Sequence, residues 1–147
     1  MNEAKFAIAA TTLFDGEGLR PNCAVMVEDG RISALTPRHE IPAGMPLHEL
    51  PDGCWLAPGF IDVQVNGGGD VLFNDNPTPE GISAITAAHR RFGTTGLLPT
   101  LITDRDSTMR LARDAIEEAM KSEPGVLGIH YEARFSRRRN LVCIIPN

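Results

Sequence analysis

The chain has 147 residues, 42% of them hydrophobic and 5% aromatic, and a net charge of −5. That length supports one ordinary domain with a sizeable core, and no apolar run approaches the ~20 residues of a membrane span. The acidic balance argues against nucleic acid as a partner. With no membrane anchor and no basic leader followed by an apolar stretch, the cytoplasm is the default location.

Charge is unevenly spread. Residues 1–132 hold 10 of the 14 Lys/Arg and all 19 Asp/Glu, whereas residues 133–147 hold four Arg and no acid. Cys23, Cys54 and Cys143 form no Cys-x-x-Cys pair and read as isolated reduced thiols.

Residues 5–36 read as short strands. Cys23–Glu28 and Arg31–Leu35 flank Asp29-Gly30, a pair that accepts the positive φ of a two-residue hairpin turn. Pro37 to Pro51 is proline-rich and reads as loop. From Trp55 the texture changes to alternating strand and helix, so residues 1–54 and 55–132 are expected to be separate domains. Phe60–Asn66 is the first strand of the second region. Thr78-Pro79 supplies an N-cap and a proline at the first helical position. Ile82, Ile85, His89 and Phe92 then recur at helical spacing, and Gly93 stands where the helix should end.

Gly96–Ile102 is the next strand, and Pro99 within it signals a bulge or a strand end. Asp104 or Asp106 can cap a second helix. Its buried stripe is Met109, Ala112, Ile116 and Met120, or the neighbouring Leu111, Ala115 and Ala119. Val126–Glu132 is the third strand. The order βαβαβ, with helices long enough for right-handed crossovers, makes this an α/β region with parallel strands.

In such folds ligands gather at the carboxyl ends of the strands. Gln64 and Asn66, two apart on a strand, face one place there. They can hydrogen-bond a ligand or satisfy backbone groups around the turn at Gly67–Gly69. That glycine run is no phosphate loop, because it lacks the Gly-Lys-Ser/Thr ending and does not open into a helix. Glu132 ends the third strand; a carboxylate there can bind a divalent ion or stand as a solvated or salt-bridged strand end. His130 points the same way and reads as a supporting group behind a ligand or as a core histidine. His89 reads as structural, and His39 and His48 lack ligand spacing. Asp62, flanked by apolar residues, is taken to point away from the side of Gln64 and to anchor structure.

The run Leu56-Ala-Pro-Gly-Phe-Ile-Asp-Val-Gln-Val-Asn66 resembles the entry strand of the metal-dependent amidohydrolases, with Gln-x-Asn in place of the usual His-x-His. That replacement, Phe73-Asn74-Asp75, Leu98-Pro-Thr-Leu-Ile-Thr103 and Gly128-Ile-His-Tyr-Glu132 are similar to N-acetylglucosamine-6-phosphate deacetylases. The resemblance implies the first three β/α units of a TIM-type (β/α)8 barrel, preceded by part of a small β-sandwich. It implies metal-dependent hydrolysis of the acetamide of N-acetylglucosamine 6-phosphate, a small phosphorylated amino sugar. Glu132 would be a ligand of a divalent metal ion, zinc or similar, with Gln64, Asn66 and His130 beside substrate or water. The intact enzyme would be a homo-oligomer. A complete barrel needs ~250 residues, and the family's two further His ligands and catalytic Asp have no counterpart here, so no catalytic residue is assigned and the chain alone is expected to be inactive.

After Glu132 the family's Gly-Pro-Phe-Leu is replaced by Ala133-Arg-Phe-Ser136. Removing one G from GGC CCG TTT CTC gives GCC CGT TTC TC, which reads Ala-Arg-Phe-Ser. A single-base deletion is therefore the expectation for residues 133–147, including Arg137–Arg139. The alternative for these residues is a natural basic tail that binds an anionic partner on a non-catalytic fragment; the alternative for the activity is another amidohydrolase branch with a different amide or cyclic substrate.

Overall fold

The computed structural model describes residues 5–132, together with the backbone of residues 141–143. The expectations attached to Ala133–Asn140 and to residues 144–147 lie outside the described residues. The chain divides into two units, Met1–Pro58 and Gly59–Asn147.

In the first unit, β1 (Lys5–Phe14), β2 (Leu19–Glu28) and β3 (Arg31–Pro37) form an antiparallel meander. Asp15 shapes the first turn: its carboxylate accepts the N–H groups of Glu17 (2.9 Å) and Gly18 (2.8 Å) and pairs with Arg20 (2.7 Å). These contacts, the Gly18 N–H first, hold the Asp15 carboxyl far below its ordinary value. At the second turn Asp29 (φ 50°) and Gly30 (φ 74°) adopt the left-handed conformation expected of Asp-Gly. After a short 3-10 turn (Arg38–Glu40), β4 (Leu47–Glu49) and β5 (Trp55–Leu56) both add to β1 in parallel. Trp55 thus continues the first sheet, and the boundary falls at Pro58 rather than before Trp55.

One face of this sheet buries Ala7, Ala9, Ala24 and Met26 under Ile41 and Met45. The other face carries an apolar groove of about 350 Å³ lined by Ile8, Val25, Val27, Ile32 and Leu35 among others. Cys23 and Cys54 are free thiols.

The second unit begins with β6 (Phe60–Val65), then a small hairpin of β7 (Gly67–Gly68) and β8 (Val71–Leu72). Gly69 and Asp70 turn that hairpin with φ of 60° and 63°. A Cβ on Gly67 would lie 2.3 Å from the Val71 carbonyl oxygen, so tight turning explains the glycines. Helix α1 (Pro79–Arg90) starts as its sequence predicts, with the Thr78 hydroxyl accepting the Gly81 N–H at 3.1 Å. Strand β9 (Thr94–Ile102), helix α2 (Asp106–Ala119) and β10 (Ile129–Glu132) follow, and β11 (Leu141–Cys143) pairs antiparallel with β10. The sheet order is β11-β10-β9-β6, with β6, β9 and β10 parallel. Ile82, Ile85, Ala112 and Ile116 from the helices bury against Leu97, Leu101 and Ile129 from the strands. Among the described residues no helix is long and apolar enough to cross a membrane.

Residues 37–51 are not wholly loop, since they carry the 3-10 turn and β4, and three further sequence expectations need correction. Phe92 lies past the end of α1 and is 81% exposed, because the stripe stops at Ile85 and His89. Neither Asp104 nor Asp106 caps α2: the N-cap is Arg105, without a side-chain bond, and Asp106 already lies in the first turn. Finally, the buried face of α2 takes Ala112, Ala115, Ile116 and Ala119 from both proposed stripes, leaving Leu111 exposed. Small alanines let the helix sit close over two adjoining stripes at once.

Pro99 lies inside β9, fully buried, and the irregularity it signals falls on the facing strand. The register runs Asp62 to Leu97, then Val65 to Pro99, so three steps of β6 oppose two of β9. A residue without an N–H cannot complete the ladder, and a β-bulge opposite it removes the need.

Candidate functional site

The Tyr131 hydroxyl donates to the Met109 carbonyl of α2 at 3.2 Å, so Tyr131 faces the helices. Side chains alternate along a strand, which turns His130 and Glu132 to the opposite face. Asp62 is in register with Leu97, a member of the helix-side core, and Val65 is buried in that same core. Strict alternation would put Asp62 and Gln64 on one side. The bulge between them reverses the sense, so Asp62 faces the helix side and Gln64 the side of Glu132.

There the Gln64 side-chain amide donates to Glu132 Oε2 at 3.4 Å, a long hydrogen bond that spans β9. Glu132 is half-buried. Its main-chain carbonyl accepts both the Thr103 N–H (2.9 Å) and the Thr103 hydroxyl (3.0 Å), which fixes the strand end and leaves the carboxylate free to face the site. Asn66 is half-buried; its carbonyl accepts the Phe73 N–H at 2.9 Å, and its side-chain amide makes no hydrogen bond among the described residues.

His130 is 7% exposed, and its Nδ1 lies 2.8 Å from the Val63 carbonyl oxygen. A carbonyl only accepts, so Nδ1 carries the hydrogen and donates. Nε2 is buried without a hydrogen-bond partner among the described residues. His89 is tied to the glycine hairpin through Nε2 and the Gly67 carbonyl (3.0 Å). His39 is exposed beside Glu40, and His48 packs edge-on against Phe6.

The sequence reading gave no role to Asn74, yet it organises the neighbouring strand end. Its amide donates to the Ile102 carbonyl and accepts the Ile102 N–H, each at 2.9 Å, as a strand partner would. It also reaches the Asp104 carboxylate at 3.3 Å. The Asp104 carboxyl is held below its ordinary value by the Arg105 N–H, the Asn74 amide and the Thr108 hydroxyl. An asparagine, with donor and acceptor on one short stem, was the available signal.

Chemically, the face offers one carboxylate, two amides and one imidazole nitrogen able to accept. Among the described residues no three His, Cys, Asp or Glu side chains gather as a metal-binding group. The arrangement can contribute one anionic ligand and orient a polar substrate.

No family model matches the chain. It is 47% identical over 117 residues to N-acetylgalactosamine-6-phosphate deacetylase of Shewanella sp. (strain ANA-3), covering 78% of this chain and 29% of the relative. It is 30% identical over 132 residues to N-acetylglucosamine-6-phosphate deacetylase of Haemophilus influenzae, covering 89% and 34%. The crystal structure of N-acetylglucosamine-6-phosphate deacetylase from Pasteurella multocida superposes with a TM-score of 0.82 at 29% identity, over 86% of this chain and 34% of that one. The chain thus spans about a third of the length of the relatives it matches.

Proposed function

The chain belongs with the N-acetylglucosamine- and N-acetylgalactosamine-6-phosphate deacetylases, about a third of whose length it matches, and we propose that it is an N-terminal part that serves their reaction. That reaction is hydrolysis of the acetamide of N-acetylglucosamine 6-phosphate to glucosamine 6-phosphate and acetate. On this reading residues 59–132 are the first three β/α units of a (β/α)8 barrel, and residues 5–58 part of a β-sandwich whose second sheet would cover the apolar groove. The enzyme would be a cytoplasmic homo-oligomer acting on a small phosphorylated substrate.

The observation that carries this reading is the meeting of Gln64 and Glu132 at the carboxyl ends of parallel strands, where ligands sit in such folds. Glu132 suits a divalent ion such as zinc: a half-buried carboxylate with one oxygen steadied by an amide N–H. The ion needs about three protein ligands, so the others would come from outside the described residues. When bound, it supplies Lewis-acid activation for hydrolysis. Gln64 would hold the Glu132 carboxylate in one orientation. Asn66 can donate to or accept from the acetamide or water, and His130, with its Nε2 buried, would support the strand end behind them.

A second reading concerns the sugar. The 47% identity to the Shewanella protein favours N-acetylgalactosamine 6-phosphate, the C4 epimer, over its gluco isomer. A single chimera tests the first reading, and a change of sugar preference relative to the intact Shewanella relative would count against the second. Residues 1–132 are joined to the C-terminal remainder of the Shewanella relative, and acetate release is followed on each sugar with zinc present. Release that needs both the metal and Glu132 supports the assignment. A folded chimera that releases no acetate from either sugar overturns it.

A further inference from the structure

We propose that Asp62 is a positioning residue, whose carboxylate sets the shape of the β6 bulge and so aims that strand at His130 and Glu132. The bulge occupies Asp62–Val65, opposite Leu97–Pro99. Within it the Asp62 Oδ1 accepts the Gln64 backbone N–H at 3.1 Å, an Asx turn that gives this N–H an acceptor inside its own strand. Among the described residues this is the only hydrogen-bond partner of the Asp62 side chain, and no ion pair competes for it.

Two groups of the bulged segment then reach past β9 to the same face of β10. The Val63 carbonyl accepts from His130 Nδ1 at 2.8 Å, and the Gln64 amide donates to Glu132 Oε2 at 3.4 Å. Each depends on the extra residue. In an unbulged strand with Asp62 opposite Leu97, Gln64 would share the helix side with Asp62 and could not meet Glu132. Pro99 makes the bulge permissible by withholding a ladder donor, and Asp62 makes it specific by capturing the Gln64 N–H. The first contact also fixes which nitrogen of His130 carries the hydrogen, leaving Nε2 as an acceptor. Asp62 thus acts on the site through three other residues without facing it.

The inference rests on the site proposed above only for its use, since its geometry can be tested without activity. The test uses the 147-residue chain labelled with ¹⁵N, read by amide exchange at Gln64 and by the ¹⁵N pattern of the His130 ring. The parent should show a protected Gln64 N–H and a hydrogen on Nδ1. Asp62→Ala should speed exchange at Gln64 roughly tenfold, the scale of one lost hydrogen bond, and let the His130 hydrogen distribute between both nitrogens. Asp62→Asn keeps an oxygen at the same reach and should preserve both signatures. Asp62→Glu keeps the charge but moves the oxygen one methylene outward, and should lose them. This last pair decides the matter should Asp62→Ala fail to fold. Unchanged Gln64 exchange and an unchanged His130 pattern in folded Asp62→Ala or Asp62→Glu would overturn the proposal, as would their loss in folded Asp62→Asn. Loss of these signatures on Asp62→Ala, alongside a parent chimera that never releases acetate, would leave Asp62's role standing and remove the deacetylase reading alone.

Discussion

Gln64 on β6 and Glu132 on β10 meet at 3.4 Å although a whole strand, β9, lies between them. Two long side chains pointing to the same face can close that gap only if both strands present them there. The bulge does this for Gln64, and the alternation after Tyr131 does it for Glu132.

Replacing Glu132 by Gln should separate chemistry from stability. The carboxylate is half-buried at a strand end, and Thr103 holds its main-chain carbonyl, not its side chain. In the chimera, acetate release should fall by roughly a hundredfold or more, since even groups behind a metal ligand are worth ten- to a hundredfold. Melting should move little. Parallel acetate assays and thermal melts check this, and retained zinc-dependent activity would remove Glu132 from the metal.

Asn74→Ala should be the more damaging change to the fold. It strips partners from both the N–H and the C=O of Ile102 and one from Asp104. Each abandoned backbone group costs about 1–3 kcal/mol when water cannot replace the partner, so a loss of roughly 2–6 kcal/mol is expected for the two. Asn74→Asp keeps the acceptor for the Ile102 N–H and should lie between. Urea midpoints at constant slope measure both.

These two residues also show what could be read from the chain in advance. Local chemistry was legible: Asp29-Gly30 made its hairpin, Thr78-Pro79 started its helix, and Pro99 marked an irregularity. Each depends on φ preferences or on a donor within a few residues. Phe92 and the start of α2 were misread because periodicity cannot say where a stripe leaves the core. Gln64, Asn66, His130 and Glu132 stood out as polar groups at strand ends. Asn74 did not, because its partner Ile102 lies 28 residues on and is found only when the strand end is in place.

Acid should weaken the first unit through Asp15. Its folded value lies far below the ordinary 3.8, so the unfolded chain binds the proton more readily. The stability this contributes is fully present above the ordinary carboxylate range and is lost as pH falls through and below it. Asp15→Asn removes the titrating group and should flatten the fall of melting temperature between roughly pH 5 and 2. Equal acid slopes for parent and variant would show that other carboxylates dominate.

The open side of β6 carries a different consequence. Phe60, Ile61 and Val63 are 69%, 65% and 58% exposed, and β6 ends the described sheet with one edge unpaired. An apolar edge strand is a template for a second chain. The 147-residue chain should therefore self-associate with rising concentration, and Ile61→Lys should reduce this by placing a charge on the strand. Ile61 makes no contribution to either buried cluster, so its replacement should leave the core intact. Sedimentation of both proteins over a concentration series tests the point. A sharp cooperative melt of a strictly monomeric parent would overturn the prediction, and the lysine would then change nothing.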